Sequence, residues 1–118
     1  MNEVLLSVVL PNFNHAQYLS RAIDAIATQD SPPDEIIVVD DASSDGSREV
    51  LVECQRRNAN LIILFNPRNL GALLSLQRGL EVAKGRYVYF AAADDQILPG
   101  FFSNAIKALE AAPSVGLF

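Results

Sequence analysis

Short apolar runs alternate along this chain with longer segments in which apolar residues recur every three or four positions. The runs cover residues 4–10, 35–40, 61–65 and 86–91, and runs of this length predict buried strands. The stripes with helical spacing are Leu19, Ala22, Ile23 and Ile26; Val50, Leu51 and Cys54; Leu73, Leu76, Leu80 and Ala83; and Phe102, Ala105, Ile106 and Leu109. A stripe follows each run, so the pattern predicts strand and helix in strict alternation.

This alternation predicts an α/β fold. Strand–helix–strand connections are right-handed and bring their two strands together in parallel. We therefore expect a mainly parallel sheet with helices on both faces. Three residues mark expected helix ends: Asn14 resembles an N-cap, Asn58 ends the second helix, and Gly85 ends the third.

The composition is that of a folded domain, with half of the 118 residues apolar and a net charge of −5. Nucleic-acid binding depends on clustered Lys and Arg, and the nine basic residues are scattered, so we expect no nucleic-acid partner. The sequence shows neither a signal peptide nor a membrane span. Residues 115–118 resemble the start of a further strand, so we interpret residues 1–118 as a single domain truncated at its carboxyl end.

Two acidic doublets, Asp40-Asp41 and Asp94-Asp95, each follow an apolar strand. In an open parallel sheet, ligands bind outside the carboxyl ends of the strands, especially where the strand order reverses. The doublets therefore predict a site for a polar ligand and a cation at this edge of the sheet.

Five segments taken together resemble the family 2 glycosyltransferases: VVLPNFN from residue 8, IIVVDDASSDGS from 36, NLG from 69, AKGRY from 83 and FAAADDQILP from 90. The match runs in order over nearly the whole chain. It implies a GT-A fold, whose Rossmann-like amino-terminal half binds a nucleoside-diphosphate sugar with Mn²⁺ or Mg²⁺. It also implies that the first strand lies between the second and the fourth.

The same resemblance implies an inverting enzyme that transfers the sugar to the hydroxyl of a glycan, lipid or protein acceptor. The acceptor site and the catalytic base belong to a carboxyl-terminal half in this family, so we expect the base beyond Phe118. We expect the isolated fragment to bind nucleotide with little transfer. A role in cell-envelope polysaccharide synthesis and a cytoplasmic location are further expectations, with any attachment to the inner face of the membrane made by segments outside this chain.

Four residues are candidates for binding the nucleoside. Pro11, Asn12 and Phe13 follow the first strand and offer an apolar surface for a base, unless the ring of Phe13 is buried against the first helix. The resemblance places Asp41 where a carboxylate accepts a hydrogen bond from the imide N–H of uracil, which makes UDP the default nucleotide.

Asp95 is the candidate metal ligand, and Asp94 is assigned to the ribose or to the metal shell. Carboxylates beside a diphosphate require a divalent cation between them, and Mn²⁺ and Mg²⁺ take oxygen ligands. The chain departs from the family at Ala92, where relatives commonly have a further Asp, and this departure puts metal affinity in doubt. It departs again at Leu76, which aligns with a basic residue.

The loop of Asn69 and Gly71 matches one that approaches the nucleotide in relatives. Arg68 and Arg78 are the cations available to replace the basic residue missing from the next helix. A solvated side chain is nevertheless the better explanation for both arginines.

Four other polar residues are better explained by structural roles. Asp40 is expected to hold the turn that follows it, and Asp45 to act in a turn or helix start. His15 is expected at the surface, since no orienting partner is evident for a base. Cys54 lies on an apolar helical stripe and is interpreted as a core residue.

Two alternative functions are open at this point. A phospho-receiver domain is also a parallel α/β unit with clustered Asp and Mg²⁺, but it requires an acidic pair after the first strand and a phosphoacceptor Asp after the third. Here those strands end in Asn12 and in Phe65-Asn66. The second alternative is a non-catalytic interaction domain of the same fold, which the residues at Ala92 and Leu76 keep open.

Overall fold

Strands and helices alternate in the structure as the hydrophobic pattern predicts. A computed structural model describes residues 4–94 and 97–111, and these contain four strands and four helices. The strands are β1 (Leu6–Asn12), β2 (Glu35–Asp40), β3 (Leu61–Phe65) and β4 (Tyr87–Phe90). The helices are α1 (Ala16–Ala27), α2 (Ser47–Arg57), α3 (Ala72–Val82) and α4 (Phe101–Ala111). Within the described ranges, none of the helices has both the length and the apolar character needed to cross a bilayer.

The described strands form one parallel sheet in the order β3-β2-β1-β4. This order confirms that the first strand lies between the second and the fourth. Asn12 of β1 is in register with Asp40 of β2, and Asp40 is in register with Phe65 of β3. The chain therefore leaves these three strands at one edge of the sheet, and the topology brings together the polar residues that follow them.

One face of the sheet carries the larger hydrophobic core, which it forms with α1, α2 and α4. The four residues of the predicted α1 stripe are all buried, and α4 buries Phe102 and Leu109. Cys54 of α2 is fully buried in this core, and burial raises the pKa of its thiol. A buried, protonated thiol is a poor nucleophile, so the structure confirms the core role predicted for Cys54.

The opposite face is covered by α3, and here only half of the predicted helical stripe is confirmed, since Leu76 and Ala83 pack against Val9, Ile37 and Val39 of the sheet. Leu73 is 78% exposed and Leu80 is 47% exposed, whereas the residues that α3 buries are Ser75 and Gly79. The small side chains let the helix approach the sheet closely, since a Cβ atom built on Gly79 would lie 2.5 Å from Cγ1 of Val9. Leucines in place of Ser75 and Gly79 would hold the helix farther from the sheet. The close approach therefore leaves Leu73 and Leu80 facing outward.

Gly85 lies beyond α3, which has already ended at Val82, and it marks a close approach of two chain segments. A Cβ atom on Gly85 would lie 2.6 Å from the backbone nitrogen of Ser7. The Gly85 N–H donates to Oγ of Ser7 at 2.8 Å, and that hydroxyl donates to the buried carboxylate of Glu35 at 2.6 Å. The residue is therefore required by packing against β1, and the prediction that it ends the third helix is wrong.

Candidate functional site

A cleft of about 400 Å³ lies at the carboxyl edge of the sheet. It is formed by the segments that follow β1, β2 and β4, together with the loop that leads into α3. Its volume is within the range of small-molecule sites. The described residues that line it are Pro11, Asn12, Phe13, His15, Asp41, Asn69, Gly71, Ala72, Ser75, Ala92 and Ala93.

The end of β1 supplies the candidate nucleoside residues that the sequence predicts there. Phe13 is 46% exposed, so its ring is available to a ligand and is not buried against α1. Asn12 is buried, and its amide nitrogen donates to Oδ1 of Asp40 at 2.8 Å. Asp40 also accepts from the backbone N–H and the hydroxyl of Ser43. Asp40 therefore holds the turn after β2, which confirms its predicted structural role.

Asn14 joins the loop after β1 to the loop after β2, and the prediction that it caps α1 is wrong. Its backbone has a φ of 56°, a conformation that Asn tolerates better than most residues. Its Oδ1 accepts from the N–H groups of Ser44 and Asp45, and its own N–H donates to Oγ of Ser43. The first N–H of α1, that of Ala16, instead donates to Oδ2 of Asp45 at 3.0 Å. These bonds fix the position of the loop that carries Phe13.

Asp45 serves the starts of two helices. Besides its bond from Ala16, it accepts from the backbone N–H and the hydroxyl of Ser47, the first residue of α2. Asp45 is exposed, and the slight desolvation that raises its pKa is outweighed by these hydrogen bonds, which hold the pKa below its ordinary value. The turn and helix-start role predicted for Asp45 is confirmed.

Asp41 is a buried carboxylate that organises the loop before α3. Its Oδ1 accepts from the N–H of Leu70 at 2.6 Å and from Nδ2 of Asn66 at 2.9 Å, and its Oδ2 accepts from the N–H of Gly71 at 2.9 Å. Burial raises the pKa of Asp41, but the hydrogen bonds from these three residues outweigh it and hold the pKa below its ordinary value. Asp41 is therefore ionised at neutral pH, with its orientation fixed.

The buried amide of Asn66 holds the Asp41 carboxylate through a hydrogen bond to its Oδ1. Its Nδ2 also donates to Oγ of Ser75 at 3.0 Å, and its Oδ1 accepts from Nη1 of Arg78 at 2.6 Å. The same guanidinium nitrogen donates to the carbonyl oxygen of Phe65 at 3.1 Å. Arg78 is thus bound into the end of β3, and the interpretation of it as a solvated side chain is wrong.

The segment after β4 contributes small residues to the cleft. Ala92 and Ala93 line it, and Asp94 follows as an exposed turn residue. Asp95, the predicted metal ligand, lies outside the described residues. In residues 4–94 and 97–111 there is no group of three acidic, His or Cys side chains placed to hold a metal. Leu76 is not among the described lining residues and packs instead against Val9, Ile37 and Val39 on the α3 face of the sheet.

His15 lines the cleft, although the sequence suggested only a surface position near it. Its ring makes an edge contact with Tyr18, with the ring centroids 6.0 Å apart. Arg68 is exposed, as expected of a solvated side chain.

Sequence reasoning missed Asn66 and Ser75 as supporting residues, and it did not connect Arg78 with Asn66. The available signal was the position of Asn66 directly after β3, where a buried polar residue joins the edge at which the other loops meet. Nothing local indicated that Ser75 and Arg78, on the following helix, would contact it.

The family model described as Glycosyl transferase family 2 matches residues 7–117. Among curated proteins, the chain is 34% identical over 92 residues to the putative teichuronic acid biosynthesis glycosyltransferase TuaG of Bacillus subtilis. That alignment covers 78% of this chain and 36% of the relative.

Solved structures agree with this assignment. The mannosyltransferase PcManGT from Pyrobaculum calidifontis, in complex with GDP-Man and Mn²⁺, superimposes with a TM-score of 0.83 and 27% identity. TarS 1–349 of S. aureus, in complex with UDP-GlcNAc, superimposes with a TM-score of 0.81 and 29% identity. The superpositions cover 92% and 91% of this chain but 33% and 31% of those chains. The chain thus spans about a third of the length of these relatives.

Proposed function

We infer a donor-binding role from the premise that this chain belongs to glycosyltransferase family 2. In this role it forms the donor-binding part of an enzyme that transfers a sugar from a nucleoside diphosphate to an acceptor hydroxyl. The observation that carries the proposal is the cleft at the carboxyl edge of the sheet. There the exposed ring of Phe13 and the buried carboxylate of Asp41 line one cavity. An aromatic surface beside a fixed acceptor suits the recognition of a nucleobase.

The hydrogen bonds of Asp41 favour a base that presents an N–H donor. A carboxylate has about four acceptor positions, two on each oxygen. The described residues use both positions on Oδ1 and one on Oδ2, which leaves one on Oδ2 for a ligand. At the same ring position, uracil presents its imide N–H to such an acceptor, whereas cytosine presents a lone pair that the carboxylate repels, with its amino donor to one side.

We propose uridine as the nucleoside, with the TarS complex containing UDP-GlcNAc as support. Guanine also presents a ring N–H, and the PcManGT complex contains GDP-Man. Guanosine is therefore the nucleoside against which uridine has to be tested.

We further propose that Asp95 binds Mn²⁺ or Mg²⁺ beside the diphosphate, with Asp94 in the coordination shell of the same cation. Asp94 is exposed directly after the cleft residues Ala92 and Ala93, so its carboxylate is free of the core. This donor set is sufficient because these cations need only one or two protein carboxylates when phosphate and water supply the other oxygens. Such a cation, when bound, offsets the negative charge of the departing diphosphate.

In this proposal the described residues bind and orient the donor and do not transfer a proton. The acceptor oxygen attacks the anomeric carbon while the bond from that carbon to the diphosphate breaks, so the configuration is inverted. A carboxylate outside residues 1–118 takes the acceptor proton. The acceptor itself is a glycan, a lipid or a protein hydroxyl.

Calorimetric titration of the chain with UDP, GDP, dTDP and CDP, each with Mn²⁺ or with chelator, tests the proposal. We expect UDP to bind with Mn²⁺, to bind more weakly with chelator, and to lose affinity in Asp41→Asn and in Asp95→Ala. Asp30→Asn, an exposed acid after α1, is the matched control and should bind as the parent does. A folded chain that binds none of the four nucleotides would contradict the proposal.

The same titration tests the non-catalytic alternative, and the strand order decides against the phospho-receiver. UDP binding that is indifferent to chelator and to Asp95→Ala would favour a non-catalytic domain, for which the uncharged Ala92 in the cleft wall is the supporting observation. The phospho-receiver alternative fails on topology. Receiver sheets place the first strand between the second and the third, and here β1 lies between β2 and β4.

A further inference from the structure

The buried amide of Asn66 connects two charged groups, the carboxylate of Asp41 and the guanidinium of Arg78. Asn66 is 5% exposed and lies directly after β3. On one side its Nδ2 donates to Oδ1 of Asp41 at 2.9 Å, and on the other its Oδ1 accepts from Nη1 of Arg78 at 2.6 Å. The second hydrogen of Nδ2 is directed to Oγ of Ser75 at 3.0 Å. Every polar atom of this side chain is therefore in use.

The orientation of this amide is set by Arg78 on one side and by Asp41 on the other. A guanidinium only donates and a carboxylate only accepts, whereas the hydroxyl of Ser75 does either. Arg78 and Asp41 together thus require the oxygen of Asn66 to face α3 and its nitrogen to face Asp41. If the guanidinium is removed, the oxygen of Asn66 loses its charged donor in a buried site, and a rotated amide would place that oxygen against the Asp41 carboxylate.

The position of Asp41 in turn determines the rim of the cleft. Both acceptor positions of its Oδ1 are occupied, by Asn66 and by the N–H of Leu70, while its Oδ2 holds the N–H of Gly71. A shift of the carboxylate would move the loop of Leu70 and Gly71 and would redirect the free acceptor position on Oδ2.

We propose that Arg78 is a positioning residue that, through Asn66, orients Asp41 so that its free acceptor position discriminates between nucleobases. The inference rests on the proposed function, since it names the residue that controls recognition in the same cleft. Arg78 is not among the described residues that line the cleft, and it donates to Oδ1 of Asn66 and to the carbonyl oxygen of Phe65. Its effect is therefore expected on the base and not on the diphosphate.

The test compares the dissociation constants of UDP and CDP, with Mn²⁺, for the parent chain and for Arg78→Met. We expect the variant to bind UDP about tenfold more weakly, the loss of one hydrogen bond to a charged group, and CDP almost equally well. Arg57→Met is the matched control. Arg57 contacts Ser20 and Asp24 away from the cleft, so this variant should keep the UDP/CDP ratio even where its unfolding midpoint falls.

Two further variants test rescue by a conservative substitution and guard against misfolding, while the comparison of UDP with CDP tests for a charge effect. Arg78→Lys keeps a donor within reach of Asn66 and is expected to restore most of the UDP/CDP ratio. Arg78→Gln has a shorter, polar side chain and replaces Arg78→Met if the Met variant is unfolded. The expected loss is the same: weaker binding of UDP and almost unchanged binding of CDP. Equal losses for UDP and CDP would show a charge effect on the diphosphate and would overturn the inference.

A readout without nucleotide keeps the inference apart from the proposed function. Hydrogen exchange of the amides of Leu70 and Gly71, followed by NMR in the free protein, should be several-fold faster in Arg78→Met than in Arg57→Met. Unchanged exchange together with an unchanged UDP/CDP ratio would overturn the inference alone. A parent chain that binds no nucleotide, but whose amides respond as expected, would instead refute the proposed function and leave the positioning role supported.

Discussion

A single methyl group at Gly79 tests how closely α3 packs on the sheet. Gly79 is buried in α3 against the face that carries Val9 and Val39. A Cβ atom on Gly79 would lie 2.5 Å from Cγ1 of Val9 and 3.3 Å from Cγ2 of Val39. Both valines are fully buried and β-branched, so they have little rotamer freedom with which to avoid the new atom. The helix or the strand must therefore move.

Two effects of opposite sign determine the stability of Gly79→Ala. In an exposed helix, Ala is more favourable than Gly by about 1 kcal/mol. Overpacking of a closed core costs about 1–3 kcal/mol, and a contact as short as 2.5 Å places this site in the upper part of that range. The clash outweighs the gain in helix propensity, and we expect a net loss of roughly 1–2 kcal/mol in the free energy of unfolding.

Urea denaturation followed by circular dichroism measures this loss. Gln77→Ala, an exposed substitution in the same helix, is the control and should change the free energy of unfolding by no more than about 0.5 kcal/mol. Val9→Ala removes the atom with which the new methyl group collides. The double variant with Gly79→Ala should therefore lose less stability than the sum of the single variants, by about 1 kcal/mol.

A Gly79→Ala variant that is more stable than the parent would refute the reasoning. Helix propensity would then outweigh the contact with Val9, and the close approach of α3 would not be what places Ser75 and Gly79 on the buried face. Strict additivity in the double-mutant cycle would refute the assignment of the clash to Val9.

Three further predictions concern other parts of the molecule. Phe13→Ala should weaken UDP binding about tenfold by calorimetry, since stacking on an aromatic ring contributes about 1–3 kcal/mol per base; an unchanged Kd would remove Phe13 from the site. The folded-state pKa values of Asp41 and Asp45 lie below the ordinary value, so their contribution to stability is complete above about pH 4 and is lost as the pH falls further. Urea midpoints measured against pH should show this decline, and Asp45→Asn should reduce it. Gly85→Ala should destabilise by at least about 2 kcal/mol, because its Cβ would meet backbone atoms; a midpoint equal to that of the parent would contradict the packing.

The sequence predicted the sheet and the helices well, because the signals for these elements are local. The apolar stripe of α1 matches its buried residues, and Leu61–Phe65 is a strand with the predicted bounds. Periodicity reports which residues share a face, and for α1 the most apolar face is also the buried one. The resemblance to the family added the strand order, which no local pattern contains.

The buried face of α3 shows where the pattern stops being informative. Leu73, Leu76 and Leu80 form a regular stripe, yet of these only Leu76 packs on the sheet, and the residues that the helix buries are Ser75 and Gly79. A hydrophobic pattern ranks residues by their apolar character. The residues buried against the sheet are instead those whose small volume permits close packing, and this constraint comes from Val9 across the interface.

The sequence by itself determined the alternating α/β pattern, the edge of the sheet at which the candidate site lies, and the candidates Phe13 and Asp41 within it. Only the tertiary structure decided the partners of those residues: Asp45 at the start of α1, Asn66 on Asp41, and Arg78 behind Asn66. The physical reason is that a hydrogen bond needs its two groups within about 3 Å. For groups 12 to 29 positions apart in sequence, only the packing of the elements between them decides whether they meet.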